Sequence, residues 1–277
     1  MGLGGYLTWT AVVREIKNRS PQGLRIVPVE VQGNTITKVV KSPIFENNPS
    51  ITYDMEYQQR LFLQLNHPDT NYCKQDLPQR AVHRHDKHII EQICEHYEIH
   101  NPQLKCELFF TEKEENKILD LTKGLNNDFL LIEPHSKTNY TKNRVYPFEK
   151  WQKIVDNISQ DIQVVQIGVE NARLLKDVTD LTGKTSFREA AALIGKSKML
   201  VSTEGGLTHA ATATETPAMV VITGYQSPRM VCYPQNINLN IANHGPCGVK
   251  SVCEECQKDA EIHDYSEIVN KIRGRLF

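Results

Sequence analysis

The stretch LVSTEGGLTHAATATETPAMVVITGY, residues 200–225, decides the fold class. It holds an apolar run, an acid, two glycines and a histidine, then a helix of small residues and a second apolar run. A strand that turns directly into a helix and is followed by another strand builds a parallel sheet. The same alternation recurs upstream. DFLLIEP (128–134) and IQVVQIGV (162–169) are strand-like, and PFEKWQKIVDNIS (147–159) has apolar residues at helical spacing behind Pro147, a residue suited to a first helical turn. SFREAAALIGKS (186–197) opens with Ser186 and Glu189 at the spacing of a capping box, and KMLVST (198–203) leads into the glycine turn. The second half is therefore expected to be a doubly wound α/β domain.

The first half is less regular. GYLTWTAVVREIKN (5–18) predicts a helix, LRIVPVEVQ (24–32) and QRLFLQLN (59–66) strands, KHIIEQICEHYEI (87–99) a helix and CELFF (106–110) a strand. The polar stretch LTKGLNND (121–128), which carries Gly124, is the expected hinge, giving domains of 1–125 and 126–277. With 277 residues, 39% hydrophobic and 23% charged, the chain has material for a real core. A formal net charge of −1 offers no global electrostatic case for nucleic acid. No apolar run approaches the roughly 18 residues that span a bilayer, and the N-terminus lacks a signal-peptide pattern. A cytoplasmic protein is expected.

In open α/β sheets the ligand sits beyond the carboxyl ends of the strands. After the strand at 128–134 comes HSKTNYTKNR (135–144), rich in cations and hydroxyls. After the strand at 162–169 comes Glu170, an acid able to grip the vicinal hydroxyls of a ribose. After the strand at 198–203 come Glu204, Gly205, Gly206, Leu207, Thr208 and His209. The glycines allow close backbone approach, and the free N–H groups of the helix start favour an anion. Taken singly, each has an ordinary reading: a turn, a structural histidine, a solvated helix start. Their joint position after successive strands points to a nucleotide diphosphate.

These motifs resemble glycosyltransferase family 9, the ADP-heptose:lipopolysaccharide heptosyltransferase-like enzymes. The donor loop of that family carries an acid, a small residue, Gly, Leu, any residue and His, matched here by Glu204, Gly205, Gly206, Leu207, Thr208 and His209, with Glu for the usual Asp. SKTNYTKNRVYPFEKW resembles the family's phosphate loop, with Arg144 where a Lys is usual and Ser136 and Lys137 near the phosphates. LTGKTSFREAAALI resembles the segment lining the base, around Thr185, and Glu170 stands at the ribose-binding acid. The resemblance implies a GT-B fold of two Rossmann-like doubly wound domains facing a cleft. Residues 1–125 would be the acceptor side, without the strand that precedes its first loop, and 126–277 the donor side, with a C-terminal helix (265–277) crossing back.

The implied activity is inverting, metal-independent sugar transfer from a nucleotide-diphosphate sugar to a glycan or glycolipid acceptor of the cell envelope or capsule, without a cofactor, at the inner face of the membrane. GLGGYLTWTAVVREIKN resembles the family's first helix, but Gly5 stands where the family has the Asp expected to act as general base. The base then comes from elsewhere, Asp54, His67, His83, His85 and Asp86 being the candidates, or the chain is a non-catalytic nucleotide-sugar or glycan-binding protein.

Cys247, Cys253 and Cys256 lie in CGVKSVCEEC, three thiols to which His244 or Cys232 could add a fourth ligand. Structural zinc, free thiols and a disulfide all stay open, the last disfavoured by a cytosolic setting. HRHDKH (83–88) reads as a solvated helix start or an acceptor-binding cation patch.

Overall fold

The computed structural model describes every residue except 72, 78, 79, 84 and 139; for 73–77 and 81–83 it describes the backbone. The first half runs α1 (Leu3–Asn18), β1 (Arg25–Gln32), β2 (Thr35–Val39), β3 (Arg60–Gln64), β4 (Cys73–Leu77), β5 (Arg80–His83), α2 (Ile89–His96) and α3 (Glu112–Thr122). The second half runs β6 (Phe129–Glu133), α4 (Phe148–Ile158), β7 (Gln163–Gln166), β8 (Thr179–Asp180), α5 (Phe187–Ile194), β9 (Met199–Thr203), α6 (Gly206–Ala213), β10 (Ala218–Ile222), α7 (Pro228–Val231), β11 (Ile237–Asn240), α8 (Glu254–Ile262) and α9 (Ser266–Leu276). The architecture is mixed α/β.

The large sheet has the order β11-β10-β9-β6-β7-β8, and all its pairings are parallel. Counted from β6 this is the doubly wound order 3-2-1-4-5-6, whose winding reverses between β6 and β9. Its central strands β6, β9 and β10 are buried on both faces because helices cover both. Leu131, Val165, Leu200 and Val220 face α5 and α6, while Leu130, Val164, Met199 and Val221 face α4 and α9. The first half carries a smaller sheet, β2-β1-β3, with β1 parallel to β3 and antiparallel to β2, and the hairpin β4-β5.

The two halves share a core. Leu7, Trp9 and Val12 of α1 and Ile90 and Ile93 of α2 belong to the same buried cluster as Ala191 and Leu193 of α5 and Ala210 and Ala211 of α6. A buried cation adds a clasp. Arg188 of α5, 3% exposed, reaches Glu114 of α3 at 2.6 and 2.8 Å and donates to the carbonyls of Pro43 and Phe109. Glu114 closes a capping box with Thr111, a sequence signal that would have found α3.

Three expectations are corrected. Residues 106–110 form no strand, and the first two N–H groups go to hydroxyls instead of a neighbouring strand: Cys106 N donates to Thr212 and Glu107 N to Thr10. His88 is no solvated helix start: 2% exposed, it caps α2 by accepting from Ile90 N. The C-terminal helix packs on α4 and β10, with Ile268, Val269 and Ile272 in the second half's core, and Arg273 pairs with Asp161. It stays in the second half.

The Arg188 clasp is testable. Its guanidinium holds the Glu114 carboxyl down at about 2 from an ordinary 4.5. The resulting stability is complete above the unfolded value and is lost as pH falls toward the folded one. Arg188→Met should cost about 3 kcal/mol in urea unfolding at neutral pH by taking the guanidinium from Glu114, which keeps only its Thr111 bonds, and by leaving two carbonyls unpaired. The variant should also show a smaller acid limb between pH 4.5 and 2, the Thr111 hydrogen bonds to Glu114 keeping the rest.

Candidate functional site

The winding reversal between β6 and β9 leaves a crevice at their carboxyl ends, and the loops following these strands are stitched across it. Ser136 gives its one hydroxyl proton to the Arg144 carbonyl (2.7 Å), so in its 2.6 Å contact with Thr203 it accepts. This folds residues 136–144 back and aims Arg144 at the start of the β9 loop. Arg144 Nε lies 2.7 Å from Glu204 Oε1, its Nη2 donates to Gln226, and its guanidinium sits 4.8 Å from the Tyr225 ring centroid. Neither Arg144 Nε nor Glu204 Oε1 has an aligned hydrogen bond, so proximity of charge holds the pair. Burial pushes the Glu204 carboxyl up to about 7 against the opposing pull of Arg144. Glu133, at the end of β6, is pushed by burial to about 8.

The β9 loop leads straight into α6. The Thr208 hydroxyl donates back to the Gly205 carbonyl (2.7 Å), while the N–H groups of Gly206 and Leu207 have no hydrogen-bond partner among the described residues. Unpaired donors are intrinsic to a helix start, and with the helix dipole they attract anions. Helix α1 arrives beside it, its N-cap Gly2 making no side-chain cap and its first turn carrying no acid. A Cβ on Gly4 would stand 2.9 Å from Gly206 Cα, so the two helix starts touch backbone to backbone. His209 shares a 2.6 Å hydrogen bond between Nδ1 and the Tyr233 hydroxyl. Burial, then the Arg144 charge, lower its pKa to about 4, so it is neutral and leaves Nε2 for a ligand. Behind it the His88 ring packs edge-on against Tyr233, and burial lowers that group to about 3.

Both halves line one cleft of about 1380 Å³. Residues 54–259 match the profile of glycosyltransferase family 9 (heptosyltransferase). The chain belongs to this family. Among solved structures it is similar to a family 9 glycosyl transferase from Veillonella parvula at 13% identity and a TM-score of 0.66, covering 100% of this chain and 95% of that one. It is also similar to the ADP-heptose LPS heptosyltransferase II of E. coli at 14% identity and a TM-score of 0.58, covering 98% and 97%. At these identities the likeness is one of fold, which is GT-B-like. No curated protein sequence matches the chain.

The donor-side residues expected from the family 9 resemblance all line the cleft: Ser136, Lys137, Arg144, Glu170 and Thr185, and the run from Glu204 to Leu207 with His209. Glu170 passes close over Gly183, where φ is +67° and a Cβ would come within 2.9 Å of Glu170 Cα. Of the expected bases only His67 lines the cleft; Asp54, His85 and Asp86 do not, and the His83 side chain lies outside the described residues. Sequence reasoning missed Glu30, at the carboxyl end of β1 and facing the same cleft as Gly5. Applying the end-of-strand rule to the first half would have found it. The Tyr6 phenol is pushed up by burial and then by the Glu30 charge, so this carboxylate sits near the start of α1.

Glu204 also makes a thermodynamic prediction. A carboxyl raised in the folded state gives stability at low pH that is lost as pH climbs from 4.5 through about 7. The full shift corresponds to at most on the order of 3 kcal/mol. Glu204→Gln should shift the slope of melting temperature against pH in the positive direction across this window relative to the parent, in which Glu133 pulls stability down with rising pH and His88 and His209 pull it up. An unchanged slope would mean that Glu204 is not buried as described.

Proposed function

We propose that the chain transfers a sugar from a nucleotide-diphosphate sugar to a glycan or glycolipid acceptor, with inversion and without a metal in the reaction. The observation that carries this is the meeting of two uncapped helix starts with Arg144 and Lys137 at the reversal point of the large sheet. Such an arrangement neutralises a diphosphate by backbone dipoles and side-chain cations. Lys137, Arg144 and the N–H groups of Gly206 and Leu207 stabilise the leaving diphosphate. Glu170 holds the ribose, and the segment at Thr185 borders the base. Glu204 orients Arg144 and accepts from sugar hydroxyls, while His209 contacts a phosphate or the sugar through Nε2.

Glu30 is the general base in this reading, replacing the acid missing at Gly5. It takes the acceptor hydroxyl proton as that oxygen bonds to the anomeric carbon. The bond from that carbon to the diphosphate oxygen breaks on the opposite face, and the nucleoside diphosphate departs. The chain works in the cytoplasm, at the inner membrane face if the acceptor is a glycolipid. Among the described residues no helix is long and apolar enough to cross a membrane. Gly5 favours a second reading, a non-catalytic binder of nucleotide sugar or glycan.

Calorimetric titration with ADP, UDP, GDP and dTDP, followed by turnover assays with the matching sugar nucleotides, tests both. One nucleotide should bind at micromolar strength. Gly205→Ala adds a methyl that meets nothing within 4 Å in the protein, so it should fold normally yet bind at least about tenfold more weakly, because a ligand needs that space. Glu30→Gln should keep binding and lose about 10²–10⁴ in turnover. Binding without turnover by the parent chain selects the binder, and no nucleotide binding to folded protein discards both readings.

A further inference from the structure

Between β11 and α8 the chain makes a second polar centre away from the cleft. Cys256 Sγ lies 3.3 Å from His244 Nε2 and 3.5 Å from Cys247 Sγ. The ligand atoms of His244, Cys253 and Cys256 are all within 4.8 Å of one another. A tetrahedral zinc site with Zn–S of about 2.3 Å and Zn–N of about 2.0–2.1 Å has S–S and S–N edges of about 3.8 and 3.6 Å, close to the separations found. Cys253 is the N-cap of α8 and Cys256, 1% exposed, lies in its first turn. That spacing lets both thiols address one point from a helix start.

The imidazole is prepared for the same role. His244 Nδ1 lies 2.9 Å from Asp259 Oδ2, and the Asp259 carboxylate also accepts from Asn243 N and Nδ2. A carboxylate so placed takes the Nδ1 proton as donor and leaves Nε2 with its lone pair, and that lone pair is on the Cys256 side. Carboxylate behind histidine behind metal is a recurrent supporting arrangement. Gly224 makes room for the ring: its φ is +94°, and a Cβ there would stand 2.8 Å from His244 Cε1. The loop is pinned from below by Cys247 N donating to Gly224 O and Gly248 N donating to Tyr225 O. Cys232 stands elsewhere, at the end of α7, and takes no part.

We propose that Cys247, Cys253, Cys256 and His244 hold a tetrahedral, thiolate-rich divalent transition-metal ion, zinc or ferrous iron, that locks the segment between β11 and α8. The site is structural, since four protein ligands leave no open position. Its partner is the phosphate loop. Asn143, buried, donates through Nδ2 to the carbonyls of Val249 and Ser251 (2.7 and 2.8 Å) and accepts through Oδ1 from Cys253 N (2.9 Å). Its chain neighbour is Arg144, which faces the cleft. Ordering the cysteine segment therefore fixes the backbone that aims Arg144.

The test is elemental analysis of the full chain purified without added metal, with stoichiometry read by plasma mass spectrometry. One zinc or one iron per chain is expected, the element found deciding between the two. Cobalt substitution should give the intense visible and near-ultraviolet bands of tetrahedral Co(II)–thiolate. The double variant Cys253→Ser/Cys256→Ser should lose the ion, while Cys232→Ser keeps it. Stripping with a chelator should increase amide exchange in 141–144 and 247–253. A folded chain that carries no metal and takes up none at micromolar Zn(II), or a disulfide among these cysteines, overturns the proposal. So does a double variant that keeps its ion. No nucleotide enters the measurement, so this outcome is independent of the reading of the cleft.

Discussion

The backbone crossing of α1 over α6 at Gly4 and Gly206 is the constraint on which the rest of the molecule depends. A Cβ on Gly4 would stand 2.9 Å from Gly206 Cα, and one on Gly206 would meet the Phe187 ring at 3.1 Å. The hydrogen at Gly4 is what lets the two helix starts reach the same point, while a Cβ on Gly206 would press on the Phe187 ring and stand 3.6 Å from Gly4 Cα. Farther along the pair, Leu7 and Val12 share a core with Ala210 and Ala211, small residues that let α1 lie close on α6. Packing that serves stability therefore also sets the floor of the cleft. Both helix starts have glycine at the N-cap and no side-chain cap, which forgoes only roughly 0.3 kcal/mol each. An anion bound between them would offset that loss.

The charges around this floor are out of balance in a way that suits an anionic ligand. Glu133 and Glu204 are raised to about 8 and 7 by burial, and His209 and His88 are lowered to about 4 and 3. Near neutrality the interior thus carries fewer charges than its composition suggests, and Arg144 is its main fixed cation. A diphosphate beside Arg144 would raise Glu204 further and bring His209 back up toward its ordinary value, because nearby negative charge disfavours a carboxylate and favours an imidazolium. Both changes take up protons. Protonated, Glu204 would not repel the ligand and would keep its carbonyl oxygen to accept from a sugar hydroxyl. Arg144 keeps its place through Gln226 and the Tyr225 ring as well as Glu204.

The second half was legible because local and tertiary rules agree there. Apolar runs, the Ser186–Glu189 capping box and the glycine turn each mark an element boundary, and the end-of-strand rule then collects the loop residues into one cleft. The first half was less legible because its elements owe their order to partners far along the chain. Residues 106–110 have strand composition but spend their first two N–H groups on Thr10 and Thr212, hydroxyls nearly a hundred residues or more away. His88 looks solvated in a run of charges, yet Tyr233 and the α2 start enclose it. The terminal helix carries an apolar stripe that fits any groove, and only packing chose α4 and β10.

The described residues between 135 and 144 belong to no helix or strand, so their order is borrowed from both sides. On the cleft side Ser136 ties it to Thr203 and to its own Arg144 carbonyl. On the far side Thr141 and Asn143 tie it to the segment carrying the cysteines, and Thr223 donates to the Asn143 carbonyl. Adjacent residues thus face opposite ways, Arg144 toward the cleft and Asn143 toward the cysteines. A side-chain amide that satisfies three backbone groups in a buried place does the work of a strand pairing. Nothing in sequence distinguishes such an asparagine from a surface one. Whatever orders the cysteine segment acts on Arg144 through one peptide unit, and the geometry of the cleft depends on residues that never touch it.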